Sequence, residues 1–189
     1  MGDGFPPPST PTVDPLAVAL GYKAWTFNTM VNGSGLAMAN QEIDAMAIWI
    51  PPGTVITNVL LNIQTAGSGT APTGFFVGLA SPTKMGAQSG NLASSAGLTT
   101  LGIQAFPLSA SYTTNPTDSP TGLYYIVILQ NGVFSVTNVT IVRTLAVIGY
   151  GLVTPLWGVL GTAQTALPAN GAAITFTGAG AAARWAAVS

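Results

Sequence analysis

Glutamate and lysine, the residues from which a helix builds most of its water-facing side, are almost missing from this chain. Glu42, Lys23 and Lys84 are the only ones in 189 residues. A helix that packs one face and solvates the other needs good helix formers with charge on the outer side. No stretch here combines such residues with caps and a 3.6-residue apolar period. The chain instead carries short runs rich in Val, Ile, Phe, Tyr and Thr, separated by Gly, Pro, Ser and Asn. That is the pattern of an all-β fold, a sandwich, jelly roll or barrel.

Individual strands follow from alternation and turn signals. Residues 23–28 (Lys-Ala-Trp-Thr-Phe-Asn) alternate polar and apolar, as a half-buried strand does. Ile43 to Ile50 predicts a strand stopped by Pro51-Pro52-Gly53. Val55 to Ile63 follows, with Val55, Val59, Leu61 and Ile63 expected on one face and Asn58 and Asn62 on the other. Gly74 to Ala80 predicts a short buried strand ending before Ser81-Pro82. Leu123 to Leu129 is apolar on both faces and predicts a central strand. Val133 to Val142 and Ala172 to Phe176 are further expected strands, while 64–74 and 86–100 read as loops. The Ala-rich stretch Gly178 to Ala187 reads either as helix or, with Arg184-Trp185, as a last strand closing the domain.

Residues 1–20 differ from the rest. Pro6, Pro7, Pro8, Pro11 and Pro15, with Ser9, Thr10 and Thr12 between them, favour an extended polyproline-like arm without its own core. Such a segment is expected to be disordered when free and to lie along another chain when ordered. Phe5 and the five prolines are the expected assembly residues, and residues 21–189 the β domain. The opening Met-Gly-Asp-Gly-Phe-Pro-Pro-Pro has neither a charged n-region nor an apolar h-region, so no secretory signal is expected.

Charge decides which partners to expect. Only 5% of residues are charged and the formal net charge is −1, against about 25% charged residues in ordinary soluble domains. Soluble monomers hold themselves apart with surface charge, so much of this surface is expected to be covered by partner subunits. Lys23, Lys84, Arg143 and Arg184 are scattered and make no phosphate-neutralising patch, so nucleic acid is not an expected partner. Mean hydropathy is +0.51, yet the longest apolar candidate, Leu145 to Gly161, is broken by Thr154 and Pro155. It falls short of the roughly 20 apolar residues of a bilayer span. Cysteine is absent, so no disulfide framework exists.

The chemistry available is narrow. Without His or Cys the chain cannot form a Ser-His-Asp or Cys-His centre, an imidazole base or the usual zinc sites. With Asp3 and Asp14 in the arm, Glu42, Asp44 and Asp118 remain for any two-carboxylate chemistry. Glu42 and Asp44 share a strand face and are expected to be two solubilising charges at an exposed strand start. Asp118, in Asn115-Pro-Thr-Asp-Ser-Pro120, is expected to be a turn residue. Gly67-Ser-Gly69 and Gly178-Ala-Gly180 lack the Lys and the helix of a phosphate loop. Asn32-Gly-Ser34 and Asn138-Val-Thr140 are glycosylation sequons in form only. Trp25, Trp49, Trp157 and Trp185, with five tyrosines, are expected in the core or at subunit contacts rather than as a sugar-stacking platform. Neither a cofactor nor a catalytic residue is expected.

Four segments together resemble a known group. Gly21-Tyr-Lys-Ala-Trp-Thr-Phe-Asn28, Ile50-Pro-Pro-Gly-Thr-Val-Ile-Thr-Asn-Val59, Thr121-Gly-Leu-Tyr-Tyr-Ile-Val127 and Arg184-Trp-Ala-Ala-Val-Ser189 resemble, in that order, actinobacterial phage structural proteins described as minor tail, fibre or virion-surface proteins. The resemblance spans roughly residues 20–189. It implies a jelly-roll-like antiparallel β-sandwich displayed on a virion, often as a symmetric oligomer. A homo-oligomer is therefore expected, trimer before dimer, with the arm holding other virion proteins. A host-surface glycan is a further candidate partner. The position is expected on the tail or a fibre, with capsid decoration as the alternative. A secreted carbohydrate-binding module is the more distant alternative.

Overall fold

In a computed structural model, the structure describes residues 18–26, 34–143, 157–176 and 184–189. It is an antiparallel β-sandwich of the jelly-roll kind. Its strands are β1 (Ala24–Trp25), β2 (Gly35–Ala37), β3 (Ile43–Trp49), β4 (Val55–Thr65), β5 (Gly74–Ala80), β6 (Met85–Gln88), β7 (Gly102–Thr113), β8 (Leu123–Asn131), β9 (Thr140–Val142), β10 (Trp157–Gly161) and β11 (Ala186–Val188).

The topology is one long ribbon, wound up. Its antiparallel rungs pair β1 with β11, β3 with β8, β4 with β7 and β5 with β6. The ribbon's tip is the turn at Ser81–Lys84, where the Ser81 N–H donates to the Lys84 carbonyl at 2.9 Å. Winding brings β11 against β4 and β8 against β5. The result is two sheets ordered β1-β11-β4-β7 and β3-β8-β5-β6, two Greek keys packed face to face. The three remaining strands extend these sheets. β10 flanks β3, while β9, with β2 outside it, continues the edge of β4 beyond β11.

The core lies between the sheets. Ile56, Val59, Leu61, Ile63 and Phe106 from one face Ile48, Phe75, Val77, Tyr124, Ile126 and Ile128 from the other. The double-sided apolarity of β8 has a direct cause. Tyr124, Ile126 and Ile128 point into this core, while Tyr125, Val127 and Leu129 point outward beneath Leu160, Leu167, Ile174 and Phe176. Burial there pushes the Tyr125 phenol up to about 12. A smaller cluster, Leu60, Val142, Trp185 and Ala187 with Tyr22 and Trp25, sits on the outer side of the first sheet.

Several expectations need correction. The longest strand, β7, has no counterpart in the strands expected from sequence, because Pro107 interrupts it and its outer side, Ile103 apart, is polar or small. Pro is tolerated there because β7 pairs only with β4 among the described residues, and Pro107 sits beside a register shift. The same shift, between Ile56 and Asn58, reverses the first part of β4. Ile56 is buried and Val55 exposed, the opposite of the alternation expected for Val55. The N–H groups of Thr57 and Asn58 donate to the Ser189 main-chain oxygen at 2.8 and 3.2 Å, which leaves the irregularity hydrogen-bonded.

Of Val133 to Val142 only β9 is strand, since Phe134 and Val139 fill the core from the irregular connection between β8 and β9. Ala172 to Phe176 contributes one bridge, Ala173 with Lys84, rather than a strand. β6 runs into the stretch 86–100 that reads as loop, and β4 runs on to Thr65. In residues 23–28 the strand is two residues long, with 27 and 28 outside the described residues. At the far end β11 settles the alternatives: Ala186–Val188 is the closing strand. Gly178–Ala183, most of Leu145–Gly161 and the arm through residue 17, with Phe5, Pro6, Pro7, Pro8, Pro11 and Pro15, lie outside the described residues. Among the described residues no helix is long and apolar enough to cross a membrane.

Candidate functional site

The few charged groups are the natural place to look for chemistry. Asp44 points from β3 toward the gap between the sheets, and Arg184, just before β11, meets it there. Arg184 Nε and Nη2 donate to Asp44 Oδ2 at 2.9 and 2.7 Å. The same guanidinium donates to the carbonyls of Leu36 at 2.7 Å and Ala37 at 3.2 Å. One side chain thus ties β2, β3 and β11 together. Arg184 is only 3% exposed and Asp44 16%, so Asp44 is not the solubilising charge that its position suggested. The correction has a simple source: its counter-ion is 140 residues away and leaves no local pattern.

Glu42 keeps the face of Asp44 at half burial. Its carboxyl is held above the ordinary value by burial first and by the Asp44 charge second, with Arg184 opposing both.

Asp118 is a turn residue, as expected, and also more. Its N–H donates to Asn115 Oδ1 at 2.8 Å, the local turn bond. Its carboxylate accepts from Tyr112 Oη at 2.6 Å and from Asn115 Nδ2 at 2.9 Å, and pairs with Lys84 Nζ at 2.6 Å. These contacts, Lys84 foremost and Tyr112 next, hold the carboxyl down at about 2 against the opposing effect of burial. Burial and the bond to Asp118 push the Tyr112 phenol upward. Tyr124 Oη donates to the Asn115 carbonyl and accepts from its N–H, both at 3.0 Å, so this turn is fastened to β8 and β7 at once.

The three carboxyls do not converge. β3 runs from Ile43, opposite Leu129, to Trp49, opposite Leu123. Glu42 and Asp44 stand at one end of it and Asp118 near the other, roughly 20 Å away by strand rise. Two-carboxylate glycoside chemistry needs about 5–9.5 Å between its groups. Among the described residues no three His, Cys, Asp or Glu side chains gather as a metal-ligand group.

The aromatic residues divide. Trp185 is fully buried and meets the Tyr22 ring edge-on at 5.8 Å, and Trp25 lies 6.3 Å from Tyr22. Trp49, at the end of β3, is 47% exposed. The side chain of Trp157 lies outside the described residues. Gly67 leaves room for the Phe134 ring, whose nearest carbon would stand 2.5 Å from an added Cβ, so this glycine serves packing. Asn138 accepts from Gln130 Nε2 at 2.8 Å and is bound into the end of the sandwich.

The outer surface is nearly free of charge. Across β4 and β7 it presents Asn58, Asn62, Ile103, Ala105 and Pro107, in register with one another and with no ionisable group. Val18, Leu20, Val55, Leu101, Val133 and Val136 are further exposed apolar side chains. Sequence reading located the charge shortage and the Asn58 and Asn62 side of β4, but not the part of this face that β7 contributes, because β7 itself was hidden. No family model matches the chain, and neither the curated proteins nor the solved structures yield a match.

Proposed function

We propose that this chain is a non-enzymatic structural protein of a phage virion, a jelly-roll body that assembles with copies of itself and is held to other virion proteins by its proline-rich arm. One observation carries the reading. Asp44 with Arg184 and Asp118 with Lys84 consume four of the few charges internally. Among the described residues, Lys23, Glu42 and Arg143 are then the only Lys, Arg, Asp or Glu side chains outside an ion pair. A surface so poor in charge loses little on desolvation, and its apolar part gains about 25 cal/mol per Å² removed from water before association entropy is subtracted.

Rotational closure, with a trimer preferred to a dimer, buries such surface without growing fibres. The tail or a fibre is the favoured position on the particle and capsid decoration the alternative, both resting on the resemblance of the four segments described above. The expected interface is at least roughly 2,000 Å² per pair. Light scattering at micromolar concentration tests the assembly: a multiple of 19.1 kDa is expected, and a stable monomer overturns it. Labelling purified particles with an antibody to the chain tests placement.

The exposure of Trp49 favours an added contact with a host-surface glycan, since an indole face stacks on sugar rings. Loss of glycan binding on Trp49→Ala, with unchanged assembly, is the expected result.

A further inference from the structure

No further inference is drawn: the strongest candidate, the edge of β7, which among the described residues pairs with no strand but β4, together with the uncharged outer face that the two strands share, carries nothing because nothing in the structure shows what covers it.

Discussion

Arg184 and Asp44 are 140 positions apart in sequence and 2.7 Å apart in the fold, and their contact joins the closing strand of one sheet to the second strand of the ribbon in the other. Removing one partner strands the other as a buried charge. Arg184→Ala is expected to lower stability by about 3–5 kcal/mol, and Asp44→Leu together with Arg184→Met to cost less than the single change. Urea unfolding of the three proteins at pH 7 measures this.

Asp118 predicts acid sensitivity of a definite sign. Its folded value of about 2 lies below the ordinary 3.8. The stabilisation it provides is therefore complete above that ordinary value and lost as pH falls through about 2. Asp118→Asn is expected to lower the unfolding midpoint at pH 7 and to converge with the wild type near pH 2. Parallel curves over that window would remove Asp118 as the cause.

Glu42 runs the other way. Its folded value is raised, so the fold favours the protonated form, a contribution present below the unfolded value and lost as pH rises through the folded one. Glu42→Gln is expected to raise the urea midpoint at pH 7 and to give no gain near pH 3. This single variant is also the clean test for carboxylate chemistry, because Asp44 and Asp118 hold the sandwich together and their loss confounds stability with activity. No change in any biological activity is expected.

Gly122 is held at φ +71°, and an added Cβ would lie 2.9 Å from the Ile50 carbonyl oxygen. That oxygen belongs to the residue whose N–H donates to the Gly122 carbonyl at 2.9 Å. Gly122→Ala is expected to destabilise by about 1–3 kcal/mol, from backbone strain and crowding together. Thermal unfolding followed by near-UV circular dichroism reads the loss.

What could be read from the sequence was whatever had a local cause. Gly74–Ala80 and the run from Leu123 are bounded by turn residues and apolar throughout, so their position and burial were legible. The all-β class followed from the missing helix formers, and the winding into a jelly roll from resemblance. β7 was not legible because one proline and an outer face that is small or polar beyond Ile103 look like loop, and only its pairing with β4 makes it strand. Val55 was misplaced because the irregularity after Ile56 depends on Ser189, far away in the chain. The internal use of Asp44 was hidden for the same reason: a counter-ion 140 residues distant writes nothing into the neighbouring sequence.

The position of β11 bears on how the molecule is made. Ala186–Val188 lies between β1 and β4, and β1 has no other strand neighbour among the described residues. While the chain is being synthesised, the first sheet cannot close until these residues have left the ribosome, and Asp44 waits unpaired until Arg184 follows. Since both partners of each rung but the innermost are far apart in sequence, closing the loops between them comes before any gain from packing, which makes such folding slow. An early-synthesised β1 and an uncovered β4 edge are in the meantime open to strands of neighbouring nascent chains. Translation rate and chaperone access, more than the strength of the finished core, are then expected to set how much of this protein reaches its native form.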